Sequence, residues 1–191
     1  MSQRKYKKWL TTYWVKTKQS KGMKKESLLL ALLLMTGSTT AQKPVDMSGL
    51  FSLEPFERAI FCIKFFEGMH TEKDYPYIGY GHRLREGEDY AYPMPTSQAD
   101  SLLRADLRRL CRIFRCYGSD SLLLATLAYN VGVYSIKGNA EIPRSTLLKK
   151  IEAGNRNFKA DYLNFCHVDG DIVPGIQVRR GVELVLLDEG W

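Results

Sequence analysis

The sequence has few of the residues that build metal centres and redox sites. Its 191 residues include four cysteines and three histidines, with no Cys-x-x-C pair and no Cys/His cluster at the spacing of a zinc site. It also lacks internal repeats, heptads and any apolar run near the roughly 20 residues of a spanning helix. These absences argue against a metal centre, a coiled coil, a repeat protein and a membrane-spanning protein, and no cofactor is expected.

The unusual quantity that is present is positive charge. The chain has 28 Lys and Arg residues against 21 Asp and Glu residues, a net charge of +7, which at face value suggests nucleic acid or an anionic surface. Residues 1–41 contain nine of the basic residues and one of the acidic ones, which leaves the remainder at −1. The excess therefore belongs to the leader, and nucleic acid is not expected as a partner.

Residues 1–41 have the pattern of a secretory signal peptide. An unbroken apolar run, 28–35, follows Lys24 and Lys25 and precedes small polar residues, which is the order of a basic region, an apolar region and a cleavage region. Met23 is an alternative start, because it would open a signal of more usual length. The leader predicts an exported protein, periplasmic or extracellular, without stable membrane insertion after cleavage. A buried helix of the fold and an uncleaved anchor are the alternatives.

The rest of the chain predicts a linker and one domain. Residues 42–53 contain a polar stretch with Pro44 and are predicted to be a linker. Residues 54–191 predict one mostly helical domain of the α+β class, with a small hairpin or sheet near its N-terminus. Apolar residues recur at helical steps over 56–66, with Pro55 suited to the first turn and Gly68 to the end.

The segment 75–82 is dense in Tyr, Pro, Gly and Ile, which predicts the hairpin. A turn is predicted at 168–171, and the segment 122–131, apolar on nearly all sides, is predicted to be the central buried helix. The further predicted helices span 96–117, 143–154, 155–165 and 174–187.

The four cysteines allow three pairings, and export permits disulfides. Cys62 and Cys111 lie in apolar helical stretches, so they are predicted to be buried thiols. Cys116 with Cys166 is the first pairing to test.

Glu67 is the carboxylate with the strongest chemical signal. It lies at the predicted C-terminal end of the first helix, directly after Phe65 and Phe66. The negative end of the helix dipole and the apolar neighbours both disfavour the anion, which would raise the pKa of Glu67 as a general acid requires. Asp74, seven residues on and close to Glu72, could supply the second carboxylate of a glycosidase. An exposed helix-end Glu is the alternative interpretation.

Five groups of residues extend this signal along the chain. They are Glu67-Gly68 with Ile78-Gly79-Tyr80-Gly81-His82, the helix 96–106, Leu127-Ala128-Tyr129-Asn130-Val131-Gly132, Ser145-Thr146-Leu147-Leu148, and Val173-Pro174-Gly175-Ile176 with Arg179, Arg180 and Glu183. In this order they resemble the phage-type lysozymes, glycoside hydrolase family 24, over roughly residues 54–188.

The resemblance implies a lysozyme-like fold, with a sheet lobe and a helical lobe on either side of a peptidoglycan cleft. It implies that Glu67 protonates the glycosidic oxygen between N-acetylmuramic acid and N-acetylglucosamine. Asp74 would position or deprotonate water.

Seven further residues have expected roles, and all of these roles except that of Tyr77 are implied by the same resemblance. Those expected to bind substrate are Tyr77, Tyr129, Asn130 and Arg179. Arg179 or Arg180 could instead pair with Glu67, and a plain role on the helix surface is a further alternative. His82 is expected to face Asp106 as a structural pair. No metal is implied, and a monomer acting on peptidoglycan glycan strands is expected.

The sequence departs from the family pattern between Glu67 and Ile78. That stretch is ten residues, several fewer than in the best-known members, and Tyr77 replaces the family's Thr. Glu72, or no carboxylate at all, therefore stays open beside Asp74. The leading hypothesis is an exported muramidase. The alternatives are a lytic transglycosylase, in which the sugar's own 6-hydroxyl attacks, and an inactive peptidoglycan-binding protein.

A basic stripe follows one predicted helix. Its members are Arg104, Arg108, Arg109, Arg112 and Arg115. It is either a solvated helix face or a contact for anionic wall polymers.

Overall fold

A computed structural model of the chain describes residues 47–188; the predicted signal peptide, 1–41, and the alternative start at Met23 lie outside that range. The helices are α1 (Met47–Ser52), α2 (Pro55–Glu67), α3 (Thr96–Ile113), α4 (Ser121–Val131), α5 (Val133–Lys137), α6 (Thr146–Glu152), α7 (Lys159–Leu163) and α8 (Pro174–Leu187). Two antiparallel hairpins pair β1 (Tyr77–Ile78) with β2 (His82–Arg83) and β3 (His167–Val168) with β4 (Asp171–Ile172). The predicted fold class, mostly helical α+β with a small N-terminal hairpin, is confirmed.

Helix α4 is at the centre of the core. Residues 123–128 are all buried, with α3, α8 and α2 packed around them. A helix that is apolar on every side has no face to present to water, so its neighbours must enclose it. The prediction of a central buried helix is confirmed.

Helix α2 carries Glu67 to the edge of this core. Pro55 occupies its first turn, and Ala59, Ile60 and Ile63 form its buried side. The helix ends at Glu67 because Gly68 adopts a φ of 65°, which residues with a Cβ rarely take. Pro55 therefore begins α2 and Gly68 ends it, as the sequence predicts.

The N-terminal hairpin packs on the start of α3. Ile78 pairs with His82 in register and is fully buried with Met94 and Ala99. A Cβ at Gly79, whose φ is 59°, would lie 3.2 Å from the Ala99 Cβ. The absence of a side chain at Gly79 therefore allows the hairpin to lie against α3 and form one wall of a cleft.

Several predicted boundaries are wrong. Of the segment 42–53, which is predicted to be a linker, residues 42–46 lie outside the described range, 47–52 form α1, and Leu50 is buried in the core. The helix predicted over 96–117 ends at Ile113 and continues as a 3₁₀ segment, Arg115–Asp120. The helix predicted from 143 begins at Thr146, because the Ser145 hydroxyl accepts a hydrogen bond from the Leu148 N–H and caps it.

The chain between α6 and α8 also differs from the prediction. The helix predicted over 155–165 is reduced to the five residues of α7. The turn predicted at 168–171 lies within the β3–β4 hairpin. The short helix α5 was not predicted, since Gly132 and Gly138 limit it to five residues, too few for a periodic pattern.

The cysteines do not form the predicted pair. Cys116 is an exposed free thiol, and Cys166 is buried. Cys62 is a buried thiol as predicted, whereas Cys111 is only half-buried. Between residues 47 and 188, no helix combines the length and apolar character needed to cross a membrane.

Candidate active site

A cleft of about 590 Å³ separates the N-terminal hairpin from the helical body. The hairpin contributes Tyr77 and residues 81–85 to its walls. The opposite wall comes from α3, through Asp106 and Arg109, and from residues 128–133, which include the end of α4 and the first residue of α5. The cleft therefore follows the boundary between the two lobes.

Glu67 lies beside this cleft. The site where a Cβ would stand on Gly81, which lines the cleft, is 3.5 Å from Glu67 Oε2. The Glu67 side chain keeps 19% of its surface exposed. A glycine at this position of the hairpin leaves the carboxylate accessible from the cleft.

Arg179 holds the other oxygen of Glu67. Its Nη1 donates to Glu67 Oε1 over 2.6 Å, and its Nε donates to Glu183 Oε1 over 2.9 Å. Burial alone would lower the pKa of Arg179, but the carboxylates of Glu183 and Glu67 outweigh it and raise that pKa above its ordinary value. Arg179 is thus a permanent cation that fixes the Glu67 carboxylate. The sequence left open whether Arg179 or Arg180 pairs with Glu67, and the partner is Arg179.

The surroundings of Glu67 are partly apolar and partly cationic. Glu67 is the last residue of α2 and directly follows Phe66, and the Arg179 guanidinium lies at hydrogen-bond distance. Arg179 also stacks over Phe66, 5.7 Å from the ring centroid, so the same side chain contributes to both surroundings.

Behind Arg179 lies a polar network in which Glu183, Arg180 and Tyr162 are fully buried. Glu183 accepts hydrogen bonds at Oε2 from the Tyr162 hydroxyl, over 2.8 Å, and from Arg180. Arg180 also donates to the Phe165 carbonyl, over 3.0 Å, and to Asn130 Oδ1. A buried charge is tolerated only when paired in this way. Tyr162 was missed by the sequence reasoning, since no local pattern marks it; the spacing of Arg179, Arg180 and Glu183 at three and four helical residues was the available signal.

Asp74 is placed in the loop between α2 and β1. It is exposed, and its Oδ2 accepts from the Thr71 N–H over 2.7 Å and the Thr71 hydroxyl over 3.0 Å. These bonds, the backbone one first, lower the pKa of Asp74. Asp74 therefore caps the 3₁₀ turn Glu72–Asp74, and Glu72, its alternative, is exposed on the same turn.

Three of the four predicted substrate-binding residues, Tyr77, Tyr129 and Asn130, line the cleft, whereas Arg179 does not. Tyr77 is 44% exposed. The Tyr129 hydroxyl donates to the Tyr80 carbonyl over 2.8 Å, which connects α4 to the hairpin and leaves its ring for other contacts; burial raises the pKa of Tyr129. Asn130 is exposed, and its Oδ1 accepts from Arg180, so its amide NH₂ is the group left for a ligand.

His82 is buried between two carboxylates. Nδ1 lies 2.5 Å from Asp106 Oδ2, and Nε2 lies 2.8 Å from Glu88 Oε2. The contact with Asp106 that the resemblance implied is present, whereas Glu88 was missed because it lies in a loop without periodicity. The bond to His82 and the bond from the Arg85 N–H lower the pKa of Glu88. Within residues 47–188 no group of three His, Cys, Asp or Glu side chains could hold a metal ion.

A helical lobe, a hairpin lobe and a carboxylate at the end of the first long helix define a lysozyme-like domain. The family model for phage lysozyme matches residues 64–183. The chain belongs to the phage lysozyme family.

A solved structure gives the same fold. The chain is similar to the muramidase domain of SpmX from Asticaccaulis excentricus, with a TM-score of 0.52 and 21% sequence identity; the match covers 68% of this chain and 94% of that one. No curated protein matches the sequence.

Proposed function

We propose that the chain is a muramidase that hydrolyses the β-1,4 bond between N-acetylmuramic acid and N-acetylglucosamine in peptidoglycan. Membership of the phage lysozyme family supports the substrate class. The observation that carries the proposal is the setting of Glu67, which is held by Arg179 at one oxygen and lies beside the cleft-lining Gly81 at the other.

Glu67 acts as the general acid through Oε2. Oε1 accepts the Arg179 hydrogen bond, so Oε2 is the atom free to carry the proton. A carboxylic acid beside the scissile bond protonates the leaving oxygen, which lets the C–O bond break without expelling an alkoxide. Arg179 positions the carboxylate, and it can also contact a saccharide oxygen.

Asp74 is the proposed carboxylate for the water molecule. Its lowered pKa keeps it ionised at neutral pH, which an inverting mechanism requires of the group that orients or deprotonates water. The two bonds from Thr71 occupy Oδ2, so Oδ1 would contact the water.

The occupied oxygen of Asp74 favours one alternative reaction. If Asp74 only caps its turn and Glu72 does not replace it, the 6-hydroxyl of the muramic acid attacks instead of water. The enzyme is then a lytic transglycosylase acting on the same bond.

The remaining roles follow from the cleft. Tyr77 and Tyr129 offer ring faces to sugars, and the Asn130 amide can donate to an N-acetyl oxygen. His82 and Asp106 are structural, since they join the hairpin to α3.

The protein acts as a monomer after export, in the periplasm or outside the cell.

The test replaces Glu67 by Gln and compares it with Glu54→Gln. Glu54 is an exposed residue directly before α2, so it receives the same chemical change away from the cleft. We expect Glu67→Gln to release reducing ends from purified cell walls at least about 100-fold more slowly, whereas Glu54→Gln keeps full activity. Full activity in a folded Glu67→Gln variant rejects the role of Glu67.

The products distinguish the competing reactions. Mass spectrometry of the released muropeptides gives reducing sugars for hydrolysis and anhydro sugars, lighter by one water, for transglycosylation. Sedimentation with cell walls without release of either product identifies an inactive binding protein.

A further inference from the structure

Three arginines on the outer side of α3 form a basic surface away from the cleft. Arg108 and Arg112 are one helical turn apart and Arg115 follows three residues later, so successive members are neighbours along the surface of the helix. All three are exposed, and none of them lines the cleft, which receives Asp106 and Arg109 from the same helix. We call Arg108, Arg112 and Arg115 the arginine face.

The arginine face concentrates positive charge in a domain whose charges balance as a whole. Residues 47–188 contain equal numbers of basic and acidic residues, and within that range the arginine face forms no ion pair. Nearby carboxylates are held by other groups. Arg104 bonds both oxygens of Glu57, over 2.6 and 2.8 Å, and Asp106 is bonded to His82. The charge of the arginine face is therefore available to an external anion.

Apolar side chains lie next to one end of the arginine face. The ring centroid of Phe56, in the first turn of α2, is 5.4 Å from the guanidinium carbon of Arg108. Leu53, three residues earlier, is 42% exposed. The exposed Glu54 beside it is one acid against three arginines. Cations beside an exposed apolar group match the surface of an anionic bilayer, where phosphates lie next to acyl chains.

We propose that the arginine face and Leu53 form a docking surface for a membrane that contains anionic phospholipids. Guanidinium groups bond lipid phosphates bidentately, and an exposed leucine can enter the boundary between headgroups and acyl chains. A soluble polyanion would satisfy the arginines but leave Leu53 in water, so the combination favours a bilayer. Three cations and one leucine make this binding reversible, in contrast to a spanning helix.

The position of this surface suits an enzyme that works beside a membrane. Because the arginine face does not line the cleft, docking leaves the cleft accessible to a polymer. The described chain begins at Met47, close to Leu53 in sequence. Before cleavage, the predicted leader would therefore hold this same end of the domain beside the export membrane.

The test measures co-sedimentation of the protein with vesicles. One set is phosphatidylcholine alone, and the other contains about 30% phosphatidylglycerol. The state of the N-terminus is established by mass spectrometry and is the same in every variant, so that the basic leader does not bias the comparison. We expect at least about tenfold tighter binding to the anionic vesicles at low salt, and a smaller preference at about 0.5 M salt. Equal binding to the two sets overturns the proposal.

Two double variants assign the preference to the arginine face. Arg108→Gln with Arg112→Gln should weaken binding to anionic vesicles by about tenfold. Lys73→Gln with Lys149→Gln removes the same charge from exposed positions on other elements and should change binding by less than about threefold. Thermal unfolding verifies that both are folded. An equal loss in the two double variants rejects the arginine face as the docking site.

A third pair separates a membrane from a soluble polyanion. Leu53→Asn and Ile142→Asn alter two side chains that are each 42% exposed, but only Leu53 belongs to the proposed surface. We expect Leu53→Asn to bind anionic vesicles about threefold or more weakly and soluble polyphosphate as the unaltered protein does, whereas Ile142→Asn changes neither. If Leu53→Asn binds vesicles normally while polyphosphate competes through the arginine face, the partner is a free polyanion and the membrane proposal is wrong.

Discussion

Arg179 Nη1 donates a hydrogen bond to Glu67 Oε1 over 2.6 Å, although the two residues are 112 positions apart in the chain. The bond connects the last residue of α2 to the buried side of α8. It therefore links the position of the proposed acid to the packing of the C-terminal helix, and the first two predictions below follow from that link.

Arg179→Lys should separate charge from geometry. A lysine keeps the cation but cannot bond two carboxylates with a rigid planar group. We expect kcat on purified cell walls to fall by about tenfold or more with little change in KM, and the unfolding free energy to fall by about 1–3 kcal/mol. Arg144→Lys, at an exposed pair with Glu152, is the control. An unchanged kcat in folded Arg179→Lys would contradict the positioning role.

Glu183→Gln should be among the more destabilising isosteric changes in the domain. Glu183 is fully buried and accepts from Arg179, Arg180 and Tyr162. Its neutralisation leaves two buried cations short of a counter-charge, at a cost of about 3–5 kcal/mol. Urea unfolding measures the loss, with the exposed Glu141→Gln as control. A change below about 1 kcal/mol would show that the network is not a significant source of stability.

Gly81→Ala and Gly87→Ala form a matched pair. Both glycines have positive φ, 93° and 81°, but only at Gly81 does the added Cβ meet Glu67, with Oε2 at 3.5 Å; at Gly87 it meets nothing within 4 Å. Each substitution should cost about 1 kcal/mol of backbone strain. Only Gly81→Ala should also lose activity, because its methyl group covers the oxygen proposed to carry the proton. Equal activity of the two variants would argue that the carboxylate is not approached from this side.

Asp106→Asn tests the structural role of the buried pair with His82. The amide removes the charge that bonds His82 and Arg85, so the unfolding free energy should fall by about 1–3 kcal/mol. Because the pair is proposed to support the hairpin without touching the reacting bond, activity per folded molecule should stay within about threefold. A loss of kcat far beyond the loss of folded protein would assign the pair a catalytic part.

Acid should weaken the contact between α2 and α3. The hydrogen bond from Arg104 lowers the pKa of Glu57, and bonds from Lys64 and then Arg104 lower the pKa of Asp100. A carboxyl whose folded pKa lies below its unfolded value stabilises the protein above the unfolded value, and the contribution is lost as the pH falls through the folded one.

Arg104→Gln measures that contribution. The three side chains are 25–40% exposed, so solvent screens the interaction, and we expect a loss of about 1 kcal/mol at pH 7. The variant should also lose stability less steeply than the unaltered protein below about pH 4. Thermal unfolding followed at a series of pH values checks both, and parallel pH profiles would refute the assignment.

Local signals in the sequence were sufficient for much of the helical frame. Pro55 and Gly68 marked the ends of α2, and Pro174 marked the start of α8, because such residues act on their own backbone. Periodicity marked the buried side of α2, and apolar residues on nearly all sides marked α4 as the central helix. The short helices α5 and α7 were not predicted correctly. Each is too short to show a periodic pattern of apolar residues, and its formation depends on the packing of its neighbours.

The sequence by itself determined the family, and it predicted which residues could do chemistry. Glu67 at a helix end, the hairpin motif and the later landmarks assigned the family, because they are ordered along the chain. Only the tertiary structure decided what those residues contact: Glu67 with Arg179, His82 with both Asp106 and Glu88, Asp74 with Thr71, and Cys116 with no disulfide partner. The reason is physical, since a hydrogen bond or an ion pair depends on distances of about 3 Å, and residues far apart in sequence reach such distances only when the helices between them have packed.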